Sequence, residues 1–211
     1  MENKTNKLEI LVIEDQQQNI AIARSAFEGK SEMQFHYSSN YEDSLKVINE
    51  RKIDGIITDL FFPASTISAK KVYEDLENQL EMRKTYRVEA FNELEEEPSG
   101  LLIAEKAINL DIPLIILSQG DRHVGGLGAV RYFFEELKRR LQLMVSPVFG
   151  DSGEEKEIYK DIISKNALLG HLVKHHLDIK DLFLNRNGVD KNSYGTWNNA
   201  LEYIQEMKGG K

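Results

Sequence analysis

Apolar residues arrive in short bursts along this chain, and the bursts alternate with segments of helical spacing. Leu8 to Ile13 (LEILVI) is a nearly continuous apolar run, the pattern of a strand covered on both faces. Ala21, Ile22, Ser25 and Ala26 then fall at helical spacing, with Gly29 as the stop signal. Met33 to Tyr37 alternates weakly, Asn40 is placed to cap a helix reaching Asn49, and Ile53 to Asp59 is the next strand. After Pro98 and Gly100, LLIAEKAINL reads as a helix, and Pro113 opens PLIILS, another buried strand. Short apolar strands alternating with helices predict a parallel sheet with right-handed crossovers and helices on both faces.

Two stretches interrupt this order. Residues 64–97 are highly charged, with Val72, Leu76 and Leu80 four apart, and predict a long helix inserted after the third strand. Residues 120–180 hold a glycine-rich start, a helix through VRYFFEELKRRL, a break at SPVFGDSG and a second helix around EIYKDIISKNALLGHLVKHHL. Ile158, Ile162, Leu169, Leu172 and Val173 give that last helix an apolar face. Structureless loops of this length are uncommon in a compact domain, so both read as folded embellishments of a single domain over residues 1–211.

Composition narrows the function classes. Hydrophobic residues make up 41% and charged residues 29% of the 211, the balance of an ordinary globular protein. The absence of cysteine excludes disulfides and thiolate metal sites, and a reducing cytoplasm is the expected location. No apolar run approaches the ~20 residues of a membrane span, and the polar opening MENKTNK is not a secretory signal. A net charge of −8 argues against a nucleic-acid footprint, which needs a concentrated basic surface.

The candidate chemistry lies at the strand tips, because ligands of an open parallel sheet bind beyond the carboxyl ends of its strands. The first strand ends in Glu14-Asp15, the third in Asp59 and the fourth in Ser118. Three carboxylates converging there repel one another, and a hard divalent cation relieves the repulsion. Mg²⁺ fits, since it needs only one or two carboxylates besides waters and phosphate oxygens. A nearby hydroxyl could hold a phosphoryl oxygen.

IED at the first strand, TDLFFP at the third and IPLIILS at the fourth together resemble the receiver domain of bacterial response regulators. SGLLIAEKA lies where that family has its third helix, and Pro63 falls four residues after Asp59, its usual place there. The resemblance covers residues 8–63 and 98–118, under half of the chain. It implies a doubly wound α/β fold with a five-stranded parallel sheet in the order 2-1-3-4-5, here carrying helical insertions. It also implies that Asp59 is a phosphoacceptor, with Glu14, Asp15, Asp59 and the backbone carbonyl of Phe61 around Mg²⁺. Ser118 would take the place of the hydroxyl that bonds the phosphoryl group. The donor would be a histidine kinase or phosphotransfer protein, and the output a contact with a downstream protein. Such a domain is a switch rather than an enzyme with a separate substrate.

The family's active-site lysine has two possible positions. If LMVSPVF is the fifth strand, Ser146-Pro147 stands where the family has Lys-Pro and the site lacks a cation. If DLFLNRNG is the strand, Lys191 is the cation and a final helix from Thr196 through Trp197, Ala200, Leu201 and Ile204 closes the chain; this alignment is preferred because one closing helix matches the family. Phe183 is then the candidate for the family's switch aromatic.

The rival readings are an interaction module that has lost phosphotransfer and a metal-dependent phosphohydrolase. The latter would carry Asp-x-Asp after the first strand, where this chain has Glu14-Asp15-Gln16-Gln17. Gly29-Lys30-Ser31 follows a helix and lacks the earlier glycine of a phosphate loop, Arg24 standing there instead. His171 and His175 share a helical face but no third metal ligand is apparent.

Overall fold

The computed structural model describes residues 7–82, 85–119, 124–144, 153–185 and 188–209. Its centre is an all-parallel sheet of β1 (Leu8–Ile13), β2 (Met33–Ser38), β3 (Gly55–Asp59) and β4 (Leu114–Leu117), in the order β2-β1-β3-β4. β3 and β4 are buried along their whole length, as their unbroken apolar runs require. Connecting helices α1 (Gln17–Ala26) and α2 (Tyr41–Glu50) form largely as read, and Asn40 caps α2 by accepting the Asp43 amide at 2.8 Å. The inward face of α1 is Asn19, Ile20 and Ala23, however, while Ala21 and Ser25 of the expected stripe face solvent.

Among the described residues the sheet has four strands, not the expected five. The chain does return alongside β4, but only through isolated bridges of Phe183 with Ile116 and Val189 with Gln119. Ile179–Leu182 is wound into a 3₁₀ turn and Gly188 takes a positive φ of 88°, neither of them strand geometry. Leu184 and Val189 still donate to the carbonyls of Ile116 and Ser118 at 3.1 and 2.8 Å. The fifth position is filled without being a strand.

The first insertion is two helices rather than one, α3 (Ala69–Gln79) and α4 (Tyr86–Asn92), with Glu81 between them at φ 48°. Its buried stripe is Ala69, Tyr73, Leu76 and Leu80, and Val72 is only half-buried. Glu97, at the end of the charged stretch, accepts the Ser68 hydroxyl at 2.9 Å and tethers the start of α3.

α5 (Gly100–Asn109) leads to β4 as expected. In the second insertion α6 (Val124–Met144) is followed by α7 (Gly153–Lys165) and α8 (Ala167–Lys174), so the last predicted helix is divided. Asn166 causes the division by capping α8, its side chain accepting the Leu169 amide at 2.9 Å. α6 continues through Leu143 and Met144 where the alternative fifth strand would begin, and Ser146-Pro147 lies outside the described residues. α9 (Tyr194–Gly209) closes the chain, burying Trp197, Ala200, Leu201 and Ile204.

The sheet divides the core. On one face β1, β3 and β4 meet α1 and α9 through Ile10, Val12, Ala23, Phe27, Ile57, Ile115 and Trp197. The other face carries Leu11, Ile13, Ile56, Ile116 and the helices of both insertions. No described helix is long and apolar enough to cross a membrane.

Candidate functional site

The register of the sheet brings the acidic residues together. Ile13 pairs with Thr58, so Glu14 and Asp59 follow side by side at the ends of adjacent parallel strands. Asp59 in turn pairs with Leu117, which sets Ser118 just past the next strand tip. Glu14, Asp15 and Asp59 each offer a carboxylate oxygen, all within 4.8 Å of one another. Glu14 and Asp59 are buried, whereas Asp15 stays partly exposed at the rim.

Lys191 enters this cluster from 177 residues further along the chain. Its Nζ lies 2.8 Å from Glu14 Oε2 and 2.5 Å from Asp59 Oδ2, and the residue is only 1% exposed. Backbone donors hold the other oxygens: Leu60 N–H bonds Asp59 Oδ1 at 2.6 Å, and Gln16 N–H bonds Glu14 Oε1 at 3.1 Å. A buried lysine is retained only where its charge is met, and here two carboxylates meet it.

The charges do not balance. Three carboxylates face one ammonium among the described residues. Burial first, and the neighbouring Glu14 charge, push Asp59 up to about 7 against the pull of Lys191. Burial and Glu14 also raise Asp15. For Lys191, burial works against the charge, but Asp59 and Glu14 outweigh it and hold the ammonium above its ordinary value. The lysine thus stays charged while the carboxylates compete for a further positive charge. A proton or a metal ion can supply it, and the hard, oxygen-only donor set suits a divalent cation.

Ser118 adds a second open valence. Its Oγ is buried and finds no hydrogen-bond partner among the described residues. Buried hydroxyls are nearly always satisfied, so an orphan beside the strand tips marks a place where a ligand oxygen fits.

Gly100 sets the floor. A β-carbon there would collide with the Asp59 carbonyl oxygen and come within 2.9 Å of Leu60 Cα, so only glycine lets α5 start against the acidic strand end. Phe61 is buried two residues past Asp59, with the first turn of α6 against its ring.

The structure therefore brings Glu14, Asp15, Asp59 and Lys191 together, with Ser118 at the adjoining strand tip. Phe183 lies on β4 at Ile116, two residues before Ser118. The sequence reading placed Trp197 in the closing helix but gave it no part in the site, where its buried indole N–H bonds the Lys191 carbonyl at 2.9 Å. Its being the sole tryptophan, six residues after the preferred lysine, was the available signal. The His171 and His175 rings are neighbours with centroids 4.6 Å apart and planes tilted by 45°, remote in sequence from the acidic cluster. No protein-family model matches this chain and no curated protein matches it, so its assignment rests on the geometry of the site.

Proposed function

We propose that this chain is a receiver-like phosphoacceptor, taking a phosphoryl group on Asp59 in a Mg²⁺-dependent reaction and signalling through protein–protein contact. The observation that carries the reading is Lys191: an almost fully buried ammonium between the carboxylates of two neighbouring strand tips. A module that merely binds a partner has no use for that arrangement, which favours the reactive reading over a phosphorylation-independent one.

Each residue then has a task. Glu14, Asp15 and Asp59 would hold the metal, with the Phe61 backbone carbonyl as a further oxygen ligand. The metal would supply positive charge that keeps Asp59 ionised and neutralises phosphate oxygens. The Asp59 carboxylate forms the new O–P bond as the donor's bond to phosphorus breaks, and the leaving group keeps that electron pair. Lys191 faces the charge that builds on the phosphoryl oxygens, and the unpartnered Ser118 hydroxyl is available to donate to one of them. The fitting donor is a phosphohistidine on a histidine kinase or phosphotransfer protein. Hydrolysis of the acyl phosphate would reset the switch.

Intact mass after incubation with Mg²⁺ and acetyl phosphate tests this on the wild type and Asp59→Asn. One phosphoryl adduct is expected, requiring the metal and absent from the variant. A folded wild type that takes no label under conditions that label a known receiver would refute phosphotransfer and leave the binding module.

A further inference from the structure

Lys191 has to be held from outside the sheet. In a ladder-bonded strand, pairing on both sides would fix the backbone of such a residue. Here, among the described residues, the chain beside β4 makes only isolated bridges, and the last of them, at Val189, precedes Lys191 by two residues. Residues 191 and 192 then form a turn leading into α9. Besides bonds within the turn such as Asn192 N–H to Asp190 Oδ1 at 2.9 Å, α9 holds it by side chains: Trp197 Nε1 donates to the Lys191 carbonyl at 2.9 Å, and Thr196 Oγ1 donates to the Asp190 carbonyl at 2.7 Å. Trp197 is itself immobilised. It is 1% exposed, packs edge-on against Phe27 at 6.4 Å and sits among Ile10, Val12 and Ile57 of the sheet.

We propose that Trp197 is the positioning residue of the acidic site: its indole N–H fixes the Lys191 backbone, and with it the ammonium between Asp59 and Glu14. A long lysine side chain has many rotamers, so its tip stays on two carboxylates only if its root is fixed. A buried indole N–H needs an acceptor, and here that acceptor is the residue whose charge the site depends on. The same bond makes α9 the element that feels a change at the site, because movement of Lys191 must stretch or release it.

This inference rests on the phosphoacceptor reading, and its test separates the two. The chain holds one tryptophan, so a ¹⁵N-labelled sample shows a single indole N–H resonance. That resonance is expected to shift on Mg²⁺ titration of the wild type and to stay put in Asp59→Asn. Trp197→Phe keeps the ring and loses the donor. Its acetyl phosphate labelling at sub-saturating donor should fall about tenfold, as expected for a slightly misplaced charge, with the maximal rate less affected. Ile204→Ala is the structural control, since Ile204 packs on Gly55 at the opposite end of β3 from Asp59. It should lower the melting temperature at least as much and leave labelling unchanged. A wild type that labels, with Trp197→Phe labelling equally well or the indole resonance unmoved by bound Mg²⁺, overturns the positioning role and leaves the reading of the site intact. A wild type that neither binds Mg²⁺ by calorimetry nor takes label overturns both.

Discussion

Replacing Asp59 by asparagine should change how stability depends on pH, in a direction the site dictates. The carboxyl is raised from an ordinary 3.8 to about 7 by burial and by Glu14, against Lys191. Between those values the folded protein holds a proton that the unfolded chain has lost. In the metal-free protein this group therefore adds stability at low pH, and the addition is lost as pH rises through 7. One unit is worth about 1.4 kcal/mol. From pH 5 to pH 8 roughly two units of the gap are traversed, so the wild type should lose about 3 kcal/mol through Asp59 alone. Asp59→Asn has no proton to lose. Urea denaturation of both proteins in chelator at pH 5, 6.5 and 8 should give a stability difference that moves by about 3 kcal/mol in favour of the variant as pH rises. Parallel profiles, within about 0.5 kcal/mol of one another across that range, would show that Lys191 fully compensates the buried carboxylate. The site would then need no further cation.

Lys191→Met should cost about 3–5 kcal/mol at pH 8, because it strands two buried carboxylates, and clearly less at pH 5, where they take up protons; an equal loss at both values would contradict the ion-pair account. Gly100→Ala should destabilise by about 1–3 kcal/mol through the forced shift of α5 from the Asp59–Leu60 backbone, and calorimetry should show weaker Mg²⁺ binding; wild-type values for both would be incompatible with the close approach. Tyr73→Phe removes a buried hydroxyl with no partner among the described residues and should leave stability unchanged or raise it by up to about 1 kcal/mol, so a clear loss in urea denaturation would mean that the hydroxyl is satisfied.

The acidic end of the site was legible because parallel-sheet geometry needs only local patterns. LEILVI and GIITD are buried runs of fixed direction, and whatever follows each run must arrive at the same edge. Lys191 could be matched only by deciding which later segment lies beside β4, a long-range pairing that no local periodicity encodes. Phe183 and Val189 do lie beside β4, but as isolated bridges where a fifth strand was expected, with a 3₁₀ turn before the first and a positive-φ glycine before the second. The insertions misled for a related reason. Spacing showed apolar stripes, but a helix break depends on one residue's dihedrals or cap, Glu81 in one case and Asn166 in the other. Trp197 was read as a core residue of the last helix, and it is one; that its indole also grips the lysine turn requires coordinates.

The two insertions are one structure, and this bears on how the site communicates. Phe91 of α4 stacks on Phe133 of α6 at 4.2 Å, and Tyr73 of α3 meets Phe91, Phe133 and Phe134 edge-on at 5.1–6.1 Å. Aromatic clusters packed this closely move as a body rather than deform. The near end of that body touches the site. A β-carbon on Gly126, in the first turn of α6, would lie 3.0 Å from Phe61 Cζ, and Leu94 lies on the same position at 3.6 Å. Phe61 is two residues from Asp59, so a displacement of the acceptor loop that carries its ring toward Gly126 is passed to the joined helices. On the opposite face Lys191 and Trp197 tie the same carboxylate to α9. Asp59 thus sits between two contacts that lead to different surfaces, one steric and one hydrogen-bonded. A charge change at the acceptor pulls on the second directly, whereas the first responds only once the backbone of the loop has moved.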